Sequence, residues 1–201
     1  MTKLSSICVY CGSSAGDDPI YAASAAQLGE AMASAGISLV YGGGGVGLMG
    51  IAARSVMEAG GHVTGIIPQF LKDREAMLEA AHELVVTDDM HERKRLMFER
   101  SDAFVALPGG IGTLEELVEM MTWAQLGRHR KPVLIANING FWDPLVALLQ
   151  HMSSAGFIRP GFEVNYLVAD RADDILPVLL DAVSRTPAPE PAIEPMPISD
   201  L

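Results

Sequence analysis

The chain is short of positive charge. Fourteen Lys and Arg stand against 25 Asp and Glu, a formal net charge of −11 over 201 residues. Such a surface disfavours nucleic acid and anionic lipid, whose phosphates need an extended basic face. It still permits one phosphate, because a few backbone N–H groups bind that locally. No apolar run reaches the length that spans a bilayer, and the N-terminus lacks a basic region followed by a signal-type apolar core. A cytoplasmic protein without membrane or nucleic-acid partners is expected. Cysteine is confined to Cys8 and Cys11, in SSICVYCGSS. A thioredoxin-type pair opens a helix, whereas this stretch reads as a buried strand, on which positions i and i+3 face opposite ways. No second pair completes a zinc site, and the five histidines show no H-E-x-x-H or other ligand spacing, so no metal is expected. Gly-Lys-Ser/Thr is missing too, which removes the P-loop.

What is present is a folding sequence, 49% hydrophobic. Short apolar runs alternate with amphipathic stretches. ICVYCGS, ISLVYGG, HVTGIIP, ELVVTD, DAFVALP, KPVLIANI and NYLVAD read as strands. Asp18 and Pro19 supply an N-cap and a first-turn proline for a helix through Ala35. GLMGIAARSVMEAGG, MHERKRLMFERS, Asp143 to Ser153 and Ala172 to Arg185 read as helices, and a short one is expected near Ala76 to Ala81. That rhythm predicts a single-domain, doubly wound α/β fold over residues 1–185: a mostly parallel, Rossmann-like sheet with helices on both faces. The remainder, 186–201, is proline-rich, acidic and without period, and is expected to be disordered.

Two glycine loops stand between strand and helix. YGGGGVGLMG, residues 41 to 50, satisfies G-x-G-x-x-G in two registers. A dinucleotide loop belongs after the first strand, with an acidic residue about twenty positions on. This one follows the second strand, and the next strand ends in Ile67, Pro68 and Gln69. NAD is therefore disfavoured. What remains is a tight, closely packed turn or, the favoured reading, a loop that lets a ligand approach the backbone. The second loop opens LPGGIGTLEELVEMMTWAQLG, residues 107 to 127. Pro108 stops a strand, and Gly109, Gly110 and Gly112 free the backbone before Thr113 at the start of a helix, a place suited to phosphate. Glu115 and Glu116 then read as first-turn carboxylates, which equally suit dipole complementation. One helix and one strand upstream lie Arg93, Lys94 and Arg95, either a solvated basic face or a cluster brought to the same crevice.

MHERK, LPGGIGTLEE and TWAQLG together resemble the LONELY GUY (LOG) proteins, the cytokinin riboside 5′-monophosphate phosphoribohydrolases. The motif P-G-G-x-G-T-x-x-E is met by Pro108, Gly109, Gly110, Gly112, Thr113 and Glu116, and the resemblance runs from VYCGSS to about Phe157. It implies hydrolysis of the N-glycosidic bond of an adenosine 5′-monophosphate, N6-substituted or not, to free base and ribose 5-phosphate without a cofactor. It implies Arg93 and Glu116 as the catalytic residues. It implies a substrate site of Glu75, Arg93, Lys94, the loop Gly110, Ile111, Gly112, Thr113, Leu114, Glu115 and Glu116, and Thr122. The flank of Glu75 departs from the family pattern. The label "lysine decarboxylase", often given to this family, finds little support: Lys3, Lys72, Lys94 and Lys131 are the only lysines, and none sits in an evident pyridoxal-phosphate site.

On this resemblance the glycine turn holds the 5′-phosphate and Glu116 meets the sugar, where cleavage at C1′ develops positive charge. A non-catalytic nucleotide carrier on the same fold is the alternative, because fold alone does not give activity. A homodimer is expected, both from the resemblance and because Leu117, Met120, Met121 and Trp123 offer more apolar surface than one helix-on-sheet contact requires.

Overall fold

The computed structural model describes residues 3–72, 77–159 and 161–185. Glu75 and the tail 186–201 lie outside them. Among the described residues, seven strands form one sheet: β1 Ser6–Tyr10, β2 Ser38–Tyr41, β3 Val63–Pro68, β4 Glu83–Thr87, β5 Ala103–Ala106, β6 Val133–Ala136 and β7 Leu167–Ala169. Their order is β4-β3-β2-β1-β5-β6-β7, and every neighbouring pair is parallel. The sheet is thus wholly rather than mostly parallel. Central strands such as AFVA of β5 are buried along their whole length and need cover on both faces.

That cover comes from α1 Pro19–Ser34, α2 Gly47–Glu58 and α7 Ala172–Arg185 on one face, and α4 Met90–Glu99, α5 Ile111–Gln125 and α6 Asp143–Ser154 on the other. The two-residue alternation of β1 divides the core. Ile7 and Val9 pack with Leu28 and Met32 of α1, Val56 of α2 and Leu179 of α7. Cys8 and Tyr10 face Phe104, Met97 of α4 and Leu117 and Met120 of α5. Cys8 and Cys11 therefore lie in different cores, both buried and unbridged. Burial pushes both thiols far above their ordinary range, which removes them as nucleophiles.

Local signals set the helix ends. The Asp18 carboxylate accepts from the Ile20 N–H at 3.0 Å with Pro19 in the first turn, and Gly36, at φ +67°, follows the end of α1. The helix expected near Ala76 to Ala81 is not found over Met77–Ala81; a four-residue helix, α3 Gln69–Lys72, follows β3 directly instead. Met77 makes an isolated antiparallel bridge to Gly44, and the Leu78 N–H donates to the Gly43 carbonyl at 3.3 Å. Backbone pairing with the β2–α2 loop overrides the helical composition of EAMLEAA. No helix among the described residues is long and apolar enough to cross a membrane.

Candidate active site

The chain reaches β4 at one edge and then returns to β5, beside β1. Crossovers leave β1 and β5 in opposite directions, which opens a crevice at their C-terminal ends. The two loops there touch: the Gly12 N–H donates to the Pro108 carbonyl at 3.0 Å. Gly109 has no room for a side chain, since a Cβ would stand 2.9 Å from Gly12 N and 2.2 Å from the Thr113 hydroxyl.

The two glycine loops behave differently. At the start of α2, the Leu48 and Met49 amides are taken by the Gly12 carbonyl at 3.0 and 3.3 Å. A Cβ on Gly47 would lie 2.3 Å from Ser13 backbone, and one on Gly50 2.1 Å from the Gly45 carbonyl oxygen. The helix start of YGGGGVGLMG is therefore a tight turn packed on protein backbone and not the expected ligand-approach loop, because its Leu48 and Met49 amides already have acceptors. The start of α5 is open. Gly110 is its N-cap, extended at φ −87° and ψ −158°, with no side-chain cap. Among the described residues, no acceptor lies on the amides of Ile111, Gly112 and Thr113. A Cβ on Gly110 or Gly112 would meet nothing among the described residues within 4 Å, and neither residue has positive φ. Neither packing nor backbone strain calls for glycine here, so the space beside three free amides is what glycine preserves. Ile111 is exposed, Leu114 half-buried and Thr113 buried.

Glu115 and Glu116 do not sit in the first turn. With the cap at Gly110 they fall in the second, and the first turn holds no acidic residue. Dipole complementation is thereby set aside. At 1.5 Å of rise per residue, Glu116 lies roughly 6 Å along the axis from the open amides.

Arg93 meets Glu116 there. Asp89 caps α4 by accepting from the Glu92 N–H at 2.8 Å, while Glu92 accepts from the Asp88 N–H at 3.0 Å. That cap places Arg93 at the second turn, aimed across the sheet. Its Nη1 lies 3.2 Å from Glu116 Oε1, and its Nε donates to the Ile66 carbonyl at 3.2 Å. Both residues are buried, Arg93 9% and Glu116 8% exposed. Burial raises the Glu116 carboxyl above its ordinary value; Arg93 opposes the shift, Glu115 adds to it, Lys94 opposes and Glu119 adds again. A carboxylate poised upward in this way suits a general base.

Lys94 points to α5 as well, 2.7 Å from Glu115 and 3.0 Å from Glu119. It ties α4 to α5 beside the Arg93–Glu116 pair. Glu119 was missed in the sequence, although its i, i+4 spacing from Glu115 already placed both on one helix face. Arg95 belongs to the solvated face, pairing with Glu92 and Glu99 on its own helix. Thr122 is exposed and its hydroxyl donates back to the Val118 carbonyl at 2.7 Å, so among the described residues no hydrogen bond joins it to the pair. His129 is a satisfied core histidine: one ring nitrogen accepts from the Lys131 N–H at 3.1 Å and the other meets the Met120 carbonyl at 3.0 Å. It borders a cleft of about 510 Å³ with Arg130, Asn165 and Tyr166, at the N-terminal edge of β6 and β7 and hence at the wrong end of the sheet for this crevice.

Residues 49–179 match the family model described as "Possible lysine decarboxylase". The chain is 45% identical over 184 residues to the cytokinin riboside 5′-monophosphate phosphoribohydrolase LOG1 of Arabidopsis thaliana, covering 92% of this chain and 86% of that one. It is 50% identical over 152 residues to LOG of Oryza sativa subsp. japonica, with the same enzyme name, covering 76% of this chain and 63% of that one. The chain belongs to the LOG family. Among solved structures, a molybdenum cofactor binding protein of Rippkaea orientalis superposes with a TM-score of 0.69 at 22% identity, over 91% of this chain and 99% of that one. A likeness at that identity concerns the fold alone. In this chain, Pro108 to Glu116 and Arg93 stand at the crevice that the fold opens between β1 and β5.

Proposed function

We propose that this protein hydrolyses the N-glycosidic bond of an adenosine 5′-monophosphate, N6-substituted as in cytokinin riboside 5′-monophosphates, releasing the free base and ribose 5-phosphate. One observation carries the reading: a desolvated Arg93–Glu116 pair stands one helical turn beyond an open cradle of backbone amides. The Ile111, Gly112 and Thr113 amides hold the phosphate at the positive end of α5. Glu116 then faces the sugar, stabilises the oxocarbenium-like charge at C1′ and takes the proton of the attacking water. Arg93 orients Glu116. The names of the relatives support the same reaction class, an N-glycosyl hydrolase. A carrier would need the cradle but not a buried charged pair beside it, which disfavours the non-catalytic alternative.

The test compares AMP with adenosine, following base release. AMP is expected to react at least about a hundredfold more efficiently, because remote phosphate binding orients the reacting sugar. Equal efficiency would remove the phosphate role from PGGIGT, and no release from either would leave the carrier.

The reading includes a homodimer, but on different grounds from those first expected. Leu117, Met120 and Met121 are buried inside one subunit, in the core between α5 and the sheet, and the half-buried Trp123 packs against the same core, so the four are not the exposed face that was expected to meet a partner. On the other side of α5, Ile111, Val118 and Leu126 are exposed at helical spacing. That apolar stripe supports twofold pairing next to the site. Light scattering that returned a clean monomer mass at micromolar concentration would reject it.

A further inference from the structure

We infer that Gly42, the first glycine after β2, is a positioning residue: its missing side chain leaves the space in which the Arg93 guanidinium lies when it reaches Glu116. Gly42 does not have positive φ, so its backbone places no demand for glycine. Its surroundings do. A Cβ at this position would stand 2.4 Å from Arg93 Nη2 and 3.6 Å from Arg93 Cζ, with the Met49 sulfur at 3.4 Å. The guanidinium rests on the bare backbone of residue 42.

Clashes with the end of a long side chain are ordinarily relieved by a small rotation. Here the rotation is blocked on the other edges. Nε is held by the Ile66 carbonyl of β3, Nη1 by Glu116 of α5, and the Met90 sulfur lies 3.9 Å from Nη1. A methyl group on residue 42 has to move the guanidinium by on the order of 1 Å, which breaks the contact with Ile66, the contact with Glu116, or both. A misplacement of that size in a catalytic constellation can cost about a hundredfold in rate. Gly44, two residues on, is a natural control. Its Cβ would press on the Met49 methyl at 2.8 Å, the free end of a flexible side chain, and does not approach Arg93. The glycine-rich string that looks like a nucleotide loop thus serves the arginine at its first position. The inference deepens the proposed reaction and rests on it for its kinetic readout.

The experiment is a double-mutant cycle between Gly42→Ala and Arg93→Met, with Gly44→Ala alongside, read by AMP hydrolysis and by thermal melting. Gly42→Ala is expected to lower kcat roughly a hundredfold, with KM for AMP changed by less than about threefold because the α5 amides are untouched. Gly44→Ala is expected to keep kcat within about threefold of the parent. In the Arg93→Met background, Gly42→Ala is expected to add no further loss of rate or of melting temperature, because the head group it displaces is gone. Parent-like kcat in Gly42→Ala overturns the inference, and so does an equal penalty in both backgrounds. If Gly42→Ala melts too low to assay, the melting cycle decides by the same criterion. A parent protein that releases no base sinks the proposed reaction, whereas the melting cycle still judges the contact.

Discussion

Replacing Glu116 by glutamine separates charge from shape at the centre of the site. Two opposing terms set the effect on stability. Attraction between Glu116 and Arg93 at 3.2 Å is about 5 kcal/mol at an effective dielectric of about 20. Burial of the carboxylate costs several kcal/mol, and Glu115 and Glu119 repel it. The carboxyl is raised above its ordinary value, with burial the leading cause, so the unfavourable terms prevail. A group with a raised folded pKa contributes stability that is complete below its unfolded pKa, about 4.3, and is lost as pH rises through the folded pKa. Once pH has passed the folded pKa that contribution is gone, and an uncharged isostere that still accepts from Arg93 is tolerated. Glu116→Gln is therefore expected to leave stability above the folded pKa unchanged or raised, and to lack the decline the parent shows across that window. Its turnover should fall at least about a hundredfold. Circular dichroism melts from pH 4 to 8 and a base-release assay on AMP give both numbers. Destabilisation of about 3–5 kcal/mol at pH 7, as when a buried pair is broken outright, would refute the electrostatic balance. Turnover within tenfold of the parent would refute the placement of Glu116 at the sugar.

Arg93→Met leaves Glu116 buried without its cation, and is expected to destabilise the protein at pH 7 by about 3–5 kcal/mol, measured by urea unfolding. It should also move the acid limb of any residual kcat/KM profile to higher pH, since Arg93 is the largest of the influences that oppose the rise of the Glu116 carboxyl. Gly112→Ala meets no protein atom and lies in helix, so it is expected to raise stability by about 0.5–1 kcal/mol. The same methyl intrudes on the phosphate cradle, and KM for AMP should rise about tenfold or more; a parent-like KM would empty the cradle of its role. Burial draws the Lys94 ammonium down, but its hydrogen bonds to Glu115 and Glu119 prevail and hold it above its ordinary value. Lys94→Met should therefore cost stability near neutrality, and the gap to the parent should close as alkaline pH passes the folded pKa of Lys94, seen in melts up to pH 11. Val118→Glu is expected to convert a dimer to monomer by light scattering without lowering the melt of the subunit.

The fold class was legible in the sequence because it rests on local patterns. Alternating apolar strands, Asp18 with Pro19, and Gly36 and Gly60 after helices mark the elements within a few residues of where they lie. The same patterns place Cys8 and Cys11 on opposite faces. The PGGIGT turn could be read as an anion site for the same reason, since a helix N-terminus is a local feature. Contacts between distant segments were not legible. The string EAMLEAA reads as helix, yet the pairing of Met77 with Gly44 decides against it. YGGGGVGLMG and PGGIGT look alike as strings. Only the packing of the β1–α1 loop gives the Leu48 and Met49 amides of the first loop their acceptors and leaves those of Ile111, Gly112 and Thr113 open. The apolar residues Leu117, Met120 and Met121 could not declare whether they faced a sheet or a partner until the sheet was in place. The meeting of Arg93 with Glu116 depends on α4 and α5 lying side by side, which follows from the strand order. Propensity, capping and alternation act within one or two turns of chain and are written in it directly. Desolvation and ion pairing depend on what lies across the crevice, and only the assembled fold supplies that neighbour.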